Sequence, residues 1–166
     1  MLNGFISSEV AGILILAELA YLVFYGLSAV FSLVSKILML AIFIVAFPAY
    51  VNYIKADLDK EYLMKYLIPI ALVIEAIGLY ILFLNNFFGV FLIVGGYFFE
   101  PIAGISLFYT IKDDMQALAW AFIIGAFVYT FGLALFLINL GIVPFLADAE
   151  KVIVTLFILK KMISRK

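Results

Sequence analysis

The chain contains no cysteine and no histidine. Their absence excludes disulfides, thiol chemistry, His-ligated haem and the usual zinc and copper sites, and with them most redox and metalloenzyme functions. Charge is also scarce. Asp, Glu, Lys and Arg make up 13% of the 166 residues and the formal net charge is -1, so no basic surface is available to hold nucleic acid. Glutamine occurs once, at Gln116, and no Asn-x-Ser/Thr sequon is present; scarce thermolabile side chains hint at a heat-loving microbe. The opening MLNGFISSEV carries no Lys or Arg and is followed by no small-residue cleavage site, so a retained first helix is expected in place of a cleaved leader. Ser, Thr and Asp stand in no nucleophile motif and no glycine-rich loop follows a strand pattern, so an enzyme is not expected.

Apolar surface is abundant. Hydrophobic residues are 69% of the chain and mean hydropathy is +1.31, a balance that water cannot keep dispersed. The expected fold is all-α, a polytopic integral membrane helical bundle forming a single transmembrane domain over 1–166. At about 20 apolar residues per crossing, the length holds roughly five or six spans and leaves no stretch for a soluble domain. The spans are expected at about 8–34, 37–54, 66–84, 87–109 and 117–140, separated by Ser35-Lys36, the polar stretch Lys55 to Lys65, Asn85-Asn86 and the loop Thr110 to Gln116.

The tail reads two ways. Val152 to Leu159 is only about 12 Å of helix, too short to span alone, so it either lies in the interface as a basic amphipathic helix or crosses as a sixth span over 144–163. In the crossing form Asp148 and Glu150 sit in the headgroups and Lys160 and Lys161 snorkel outward on the opposite side. Charge favours six. With six spans, Lys55, Lys60, Lys65, Lys112, Lys160, Lys161, Arg165 and Lys166 share one side against Lys36 and Lys151 on the other; with five, the lysine and arginine split is nearly even. Because Lys and Arg concentrate inside, both termini are expected to be cytoplasmic, in the plasma membrane of a prokaryote. Tyr50, Tyr53, Tyr62, Tyr66, Tyr109 and Trp120 flank the same lysine-bearing loops, as an interfacial aromatic belt would. No internal repeat is convincing.

Three carboxylates carry the functional expectation. Glu18, Glu75 and Glu100 each lie about 9 to 13 residues into a span, near the bilayer midplane, with no Lys, Arg or His at comparable depth in the first five spans. At helical spacing Glu100 shares a face with Gly89, Gly96 and Ala103, Glu75 with Ala71 and Gly78, and Glu18 with Ala11, Tyr21 and Tyr25. Small residues mark faces where membrane helices touch, so all three acids should point into the bundle, with the Tyr21 and Tyr25 phenols as candidate donors. Pro101 removes the backbone donor to the Tyr97 carbonyl, and Gly95, Gly96 and Gly104 loosen the helix nearby, so a kink is expected beside Glu100 with a freed Tyr97 oxygen for a proton or small cation. Pro48 frees the Ile44 carbonyl in the same way. Ala117, Ala121, Gly125 and Gly132 form a small-residue seam read as helix packing within one subunit. Asp57, Asp59, Glu61, Asp113 and Asp114 interleave with Lys and read as solvated loops.

The segment Glu75-Ala76-Ile77-Gly78-Leu79 resembles the intramembrane-Glu helix of the small antiporter-related subunits of respiratory complex I. The resemblance implies that a lone Glu in such a helix can belong to a proton path. Those subunits have fewer spans, and nothing else of the family is carried over. The expected function is a small transporter or channel for protons or small cations, with Glu18, Glu75, Glu100, Tyr21, Tyr25 and Tyr97 as its site. The alternatives are a non-catalytic accessory or scaffold subunit of a larger membrane complex, or a lipid-binding membrane protein. No cofactor and no metal are expected; the partners are the lipid bilayer and a homo-oligomer or larger membrane complex.

Overall fold

The computed structural model describes residues 1–164, and Arg165 and Lys166, counted above with the lysine-rich side, lie outside them. Helix α1 spans Leu2–Tyr25 and stops at Gly26, whose φ of 81° is accessible to glycine at little cost and turns the chain into a short 3-10 segment, Leu27–Phe31. Ser32 then accepts a hydrogen bond from the Ser35 amide and caps α2, Leu33–Ile54. The first span therefore ends at Gly26 and not at Val34. Ser35 and Lys36, expected in a turn, instead lie buried in the first turns of α2. Lys36 Nζ donates to Asn85 Oδ1 at 2.6 Å.

Helix α3 is Glu61–Phe83, so the second half of the expected Lys55 to Lys65 loop is already helical. Lys60, in the left-handed region at φ 54°, sets the turn before it, and its carbonyl accepts from Ser106 Oγ at 2.9 Å. Helix α4, Phe88–Tyr97, passes through Phe98, still helical in backbone, into α5, Phe99–Gly132. The interruption expected beside Pro101 thus falls in the hydrogen-bond ladder without a sharp bend. The sharp bend is at Met115, φ -142° and ψ 49°. The ring centroids of Phe98 and Phe131 are 5.1 Å apart, and those of Phe108 and Trp120 4.7 Å apart. A continuous helix would hold the first pair roughly 50 Å apart, so the chain doubles back at Met115. The expected loop Thr110 to Gln116 is a helical corner with one non-helical residue. A second 3-10 segment, Leu133–Ile138, and a turn at Asn139 lead into α6, Ile142–Ile163.

No strand occurs among the described residues, and four helical stretches are long and apolar enough to cross a membrane: Leu2–Tyr25, Leu33–Ile54, Glu61–Phe83 and the continuous Phe88–Ile138. The last of these is the doubled-back stretch. Helix α6 falls outside that set by composition, but at 22 residues it is about 33 Å long and packs along both α1 and α5. The core has two layers. One joins Phe5, Tyr53, Met64, Leu107, Ile111, Met115 and Ile158; the other joins Leu22, Val30, Leu82, Ile93, Leu133 and Phe136. The start of α1 and the last turns of α6 therefore lie at the end of the bundle that holds the 55–60 loop and the Met115 corner. Of the aromatic residues expected in a belt, Tyr62, Tyr66 and Trp120 are exposed, but Tyr53 is buried edge-to-face against Phe5.

Candidate functional site

Glycines bring α3 and α4 into backbone contact. A Cβ on Gly78 would stand 2.9 Å from the Gly89 carbonyl oxygen, and one on Gly89 would stand 2.5 Å from that of Gly78. Two turns further along α4, Gly96 makes room for Glu75: a Cβ there would meet the Glu75 Cγ at 2.5 Å. Glu75 is 5% exposed, and its Oε1 has no hydrogen-bond partner among the described residues. Glu100, four residues after Gly96 and so on the same face, lines a cavity of about 150 Å³ together with Glu75. The small-residue face read from the sequence is thus the surface along which α3 and α4 close on these two acids.

The same cavity is also lined by the polar side chains of Tyr129 and Thr130 of α5 and of Lys151 and Thr155 of α6. Lys151 Nζ lies 2.7 Å from Asp148 Oδ1 and 4.3 Å from the centroid of the Tyr129 ring. Asp148 is fully buried. The sequence reading put Asp148 among the headgroups and Lys151 in a loop, and the structure corrects both. The two side chains sit one helical turn apart on the face of α6 that packs inward, where an ion pair and a cation-π contact replace the lost hydration. Glu9 of α1, also buried, lies within electrostatic reach of both. It was missed because nothing near it in sequence separates it from the first polar turn. Asp148 and Lys151 did carry a signal: with Glu150 they interrupt a stretch from Ile142 to Leu159 that is otherwise free of charge.

Glu18 is elsewhere. It lines a second cavity of about 60 Å³ whose polar side chains, among the described residues, are Glu18, Tyr97 and Tyr129, the rest being aliphatic, Met39 or Phe136. Its hydrogen bond comes from Ser35 Oγ of α2. The phenols proposed as donors are placed otherwise: Tyr21 is partly buried and Tyr25 is exposed, their rings 4.8 Å apart. Tyr97 joins the site through its ring as well, set edge-to-face on Tyr129 at 6.1 Å. Glu75 and Glu100 therefore share one cavity, Glu18 occupies another, and Tyr129 is the polar side chain common to the two. The small-residue seam of the fifth expected span packs within the chain: Gly125 faces Glu150 and Gly132 faces Pro144 of α6.

Electrostatically, the interior holds more acid than base. Around the first cavity, Glu75 and Glu100 line the walls with Lys151, Asp148 pairs with that lysine and Glu9 lies within its electrostatic reach, so among the described residues four acids share this region with one ammonium. In a low-dielectric interior such an excess has to be balanced by protons or by a bound cation. No protein-family model matches the chain, and no curated protein or solved structure is similar to it.

Proposed function

We propose that the chain is a small membrane transporter or channel that passes protons or small cations, crossing a prokaryotic plasma membrane six times with both termini cytoplasmic. One observation carries the functional reading: Glu75 and Glu100 line a single interior cavity beside Lys151, inside a bundle that is otherwise apolar. Carboxylates held at membrane depth are costly, by about 2.5 to 3.5 kcal/mol each on insertion scales, and mark ion and proton pathways when they line a cavity. The doubled-back Phe88–Ile138 stretch and the packing of α6 along α1 and α5 support the six-crossing reading. With Lys151 inside the bundle, the end carrying Lys55, Lys60, Lys65, Lys112, Lys160 and Lys161 opposes an end with Lys36, itself buried, which supports a cytoplasmic position for the former. That same end is where Ser8, Tyr50 and Tyr53 line the first cavity.

The test is flux into proteoliposomes containing the full chain, with carbodiimide labelling of the purified protein. Glu75→Gln and Glu100→Gln are each expected to abolish flux and to remove the labelled site. Unchanged flux and labelling in the double variant would sink the reading.

A second reading, membership in a larger membrane complex, is favoured by Glu150. This carboxylate is exposed at the α5–α6 seam, where it lies over Gly125, with the exposed apolar side chains Leu146 and Ile153 beside it on α6. Lipid offers it no partner, whereas a neighbouring subunit could. Purification in gentle detergent decides: a stoichiometric co-purifying protein supports that reading, and a chain that comes through alone counts against it.

A further inference from the structure

The two cavities lie in series. The first is lined toward the chain-terminus end by Tyr50, Tyr53 and Met64; the second is lined toward the opposite end by Leu27, Val30, Val90 and Phe136. Ile15, Ile42 and Tyr129 line both, so the wall between them is apolar except for one phenol. Tyr97 packs edge-to-face on that phenol and lies within electrostatic reach of Glu75, Glu100 and Glu18 alike. Beyond it, Glu18 receives a hydrogen bond from the Ser35 hydroxyl, buried in the first turns of α2.

We propose that the species that passes is the proton, and that the hydroxyls of Tyr129 and Tyr97 carry it between the Glu75/Glu100 cavity and Glu18. This deepens, and rests on, the transport reading above. A metal cation must bring its water or exchange it for several oxygen ligands. The second cavity has room for about two waters, at some 30 Å³ each, and its wall is largely hydrocarbon. Among the described residues no three carboxylates come together to hold a metal ion. A proton needs neither ligands nor room, because it travels as an O–H bond and leaves a carboxyl neutral.

The relay conserves atoms and charge. The O–H bond of a protonated Glu75 or Glu100 breaks and its proton binds the Tyr129 oxygen while the phenol's own O–H bond breaks. That proton passes in the same way through the Tyr97 oxygen to the Glu18 carboxylate. Each phenol ends neutral, and rotation about its C–O bond resets it. Lys151 lines the first cavity, Asp148 is paired with it and Glu9 lies within electrostatic reach of both, and together they set the field in which the donor carboxyl stands; among the described residues Glu18 alone supplies charge in the second.

The experiment uses proteoliposomes of the full chain, loaded with a pH dye and driven by a potassium diffusion potential, with radioactive sodium uptake measured in parallel. Tyr129→Phe and Tyr97→Phe remove one oxygen each from rings that keep their packing, and detergent melting temperatures check that the fold is intact. Proton flux in the wild type that falls about 100-fold in either variant, the usual worth of a positioned proton-transfer group, supports the relay. Proton flux that persists unchanged in both variants overturns it while leaving proton transport standing. Sodium uptake without proton flux overturns it while leaving cation transport standing. Flux of neither ion removes the transport reading itself.

Discussion

Gly89→Ala and Gly95→Ala add the same methyl group, six residues apart on one helix, and the structure assigns them opposite effects. A Cβ at Gly89 would lie 2.5 Å from the Gly78 carbonyl oxygen and 2.5 Å from the Leu82 nitrogen. That is about 1 Å inside an ordinary contact, and both atoms are backbone, so no rotamer change relieves the overlap. At Gly95 a Cβ meets nothing within 4 Å. Overpacking costs about 1 to 3 kcal/mol, with the upper end appropriate where backbone must move, and the helix gains about 1 kcal/mol from Ala over Gly. Gly89→Ala is therefore expected to lose about 2 kcal/mol, and Gly95→Ala to gain up to about 1 kcal/mol. The assay is reversible unfolding in mixed micelles, titrated with a denaturing detergent and followed by helical circular dichroism. Equal shifts for the two variants, or a Gly89→Ala protein as stable as wild type, would refute the α3–α4 packing on which the position of Glu75 depends.

Lys151→Met leaves Asp148 fully buried without its cation and is expected to cost about 3 to 5 kcal/mol in the same unfolding assay. Adding Asp148→Asn to that variant should recover much of the loss, and a double variant as unstable as the single one would show that the pair is not the cause. Because the chain has no native cysteine, a single reporter can be placed at exposed Asp57 or exposed Asn86. In intact cells an impermeant maleimide is expected to label Asn86→Cys and to reach Asp57→Cys only after lysis; labelling of both from one side would refute the six-crossing arrangement.

Much of the fold was legible because the bilayer imposes simple rules. Apolar runs of span length become helices, since backbone groups in lipid can find partners only within the segment. The glycine pattern around Glu75 and Glu100 was legible for a similar reason: residues three and four apart share a face, and only small ones let backbones meet. The helix ends were less so. Gly26 stops α1 inside a continuous apolar run, and hydropathy carries no trace of a φ that only glycine adopts cheaply. The corner at Met115 was expected as a loop because Lys112, Asp113 and Asp114 are charged, yet it stays helical on both sides, with the Asp114 carbonyl accepting from Lys161 Nζ at 3.1 Å.

The sequence by itself determined that this is a helical protein fit for a membrane and that acids lie within it, because both facts follow from composition and spacing along one chain. Which acids meet was decided by the tertiary structure. Glu75 joins Glu100 because Gly96 leaves space for it, Lys151 and Asp148 enter the interior because α6 lies along α1 and α5, and Glu18 is set apart behind Tyr97 and Tyr129. Those are contacts between residues far apart in sequence, fixed by which helix packs on which, and no local pattern encodes them.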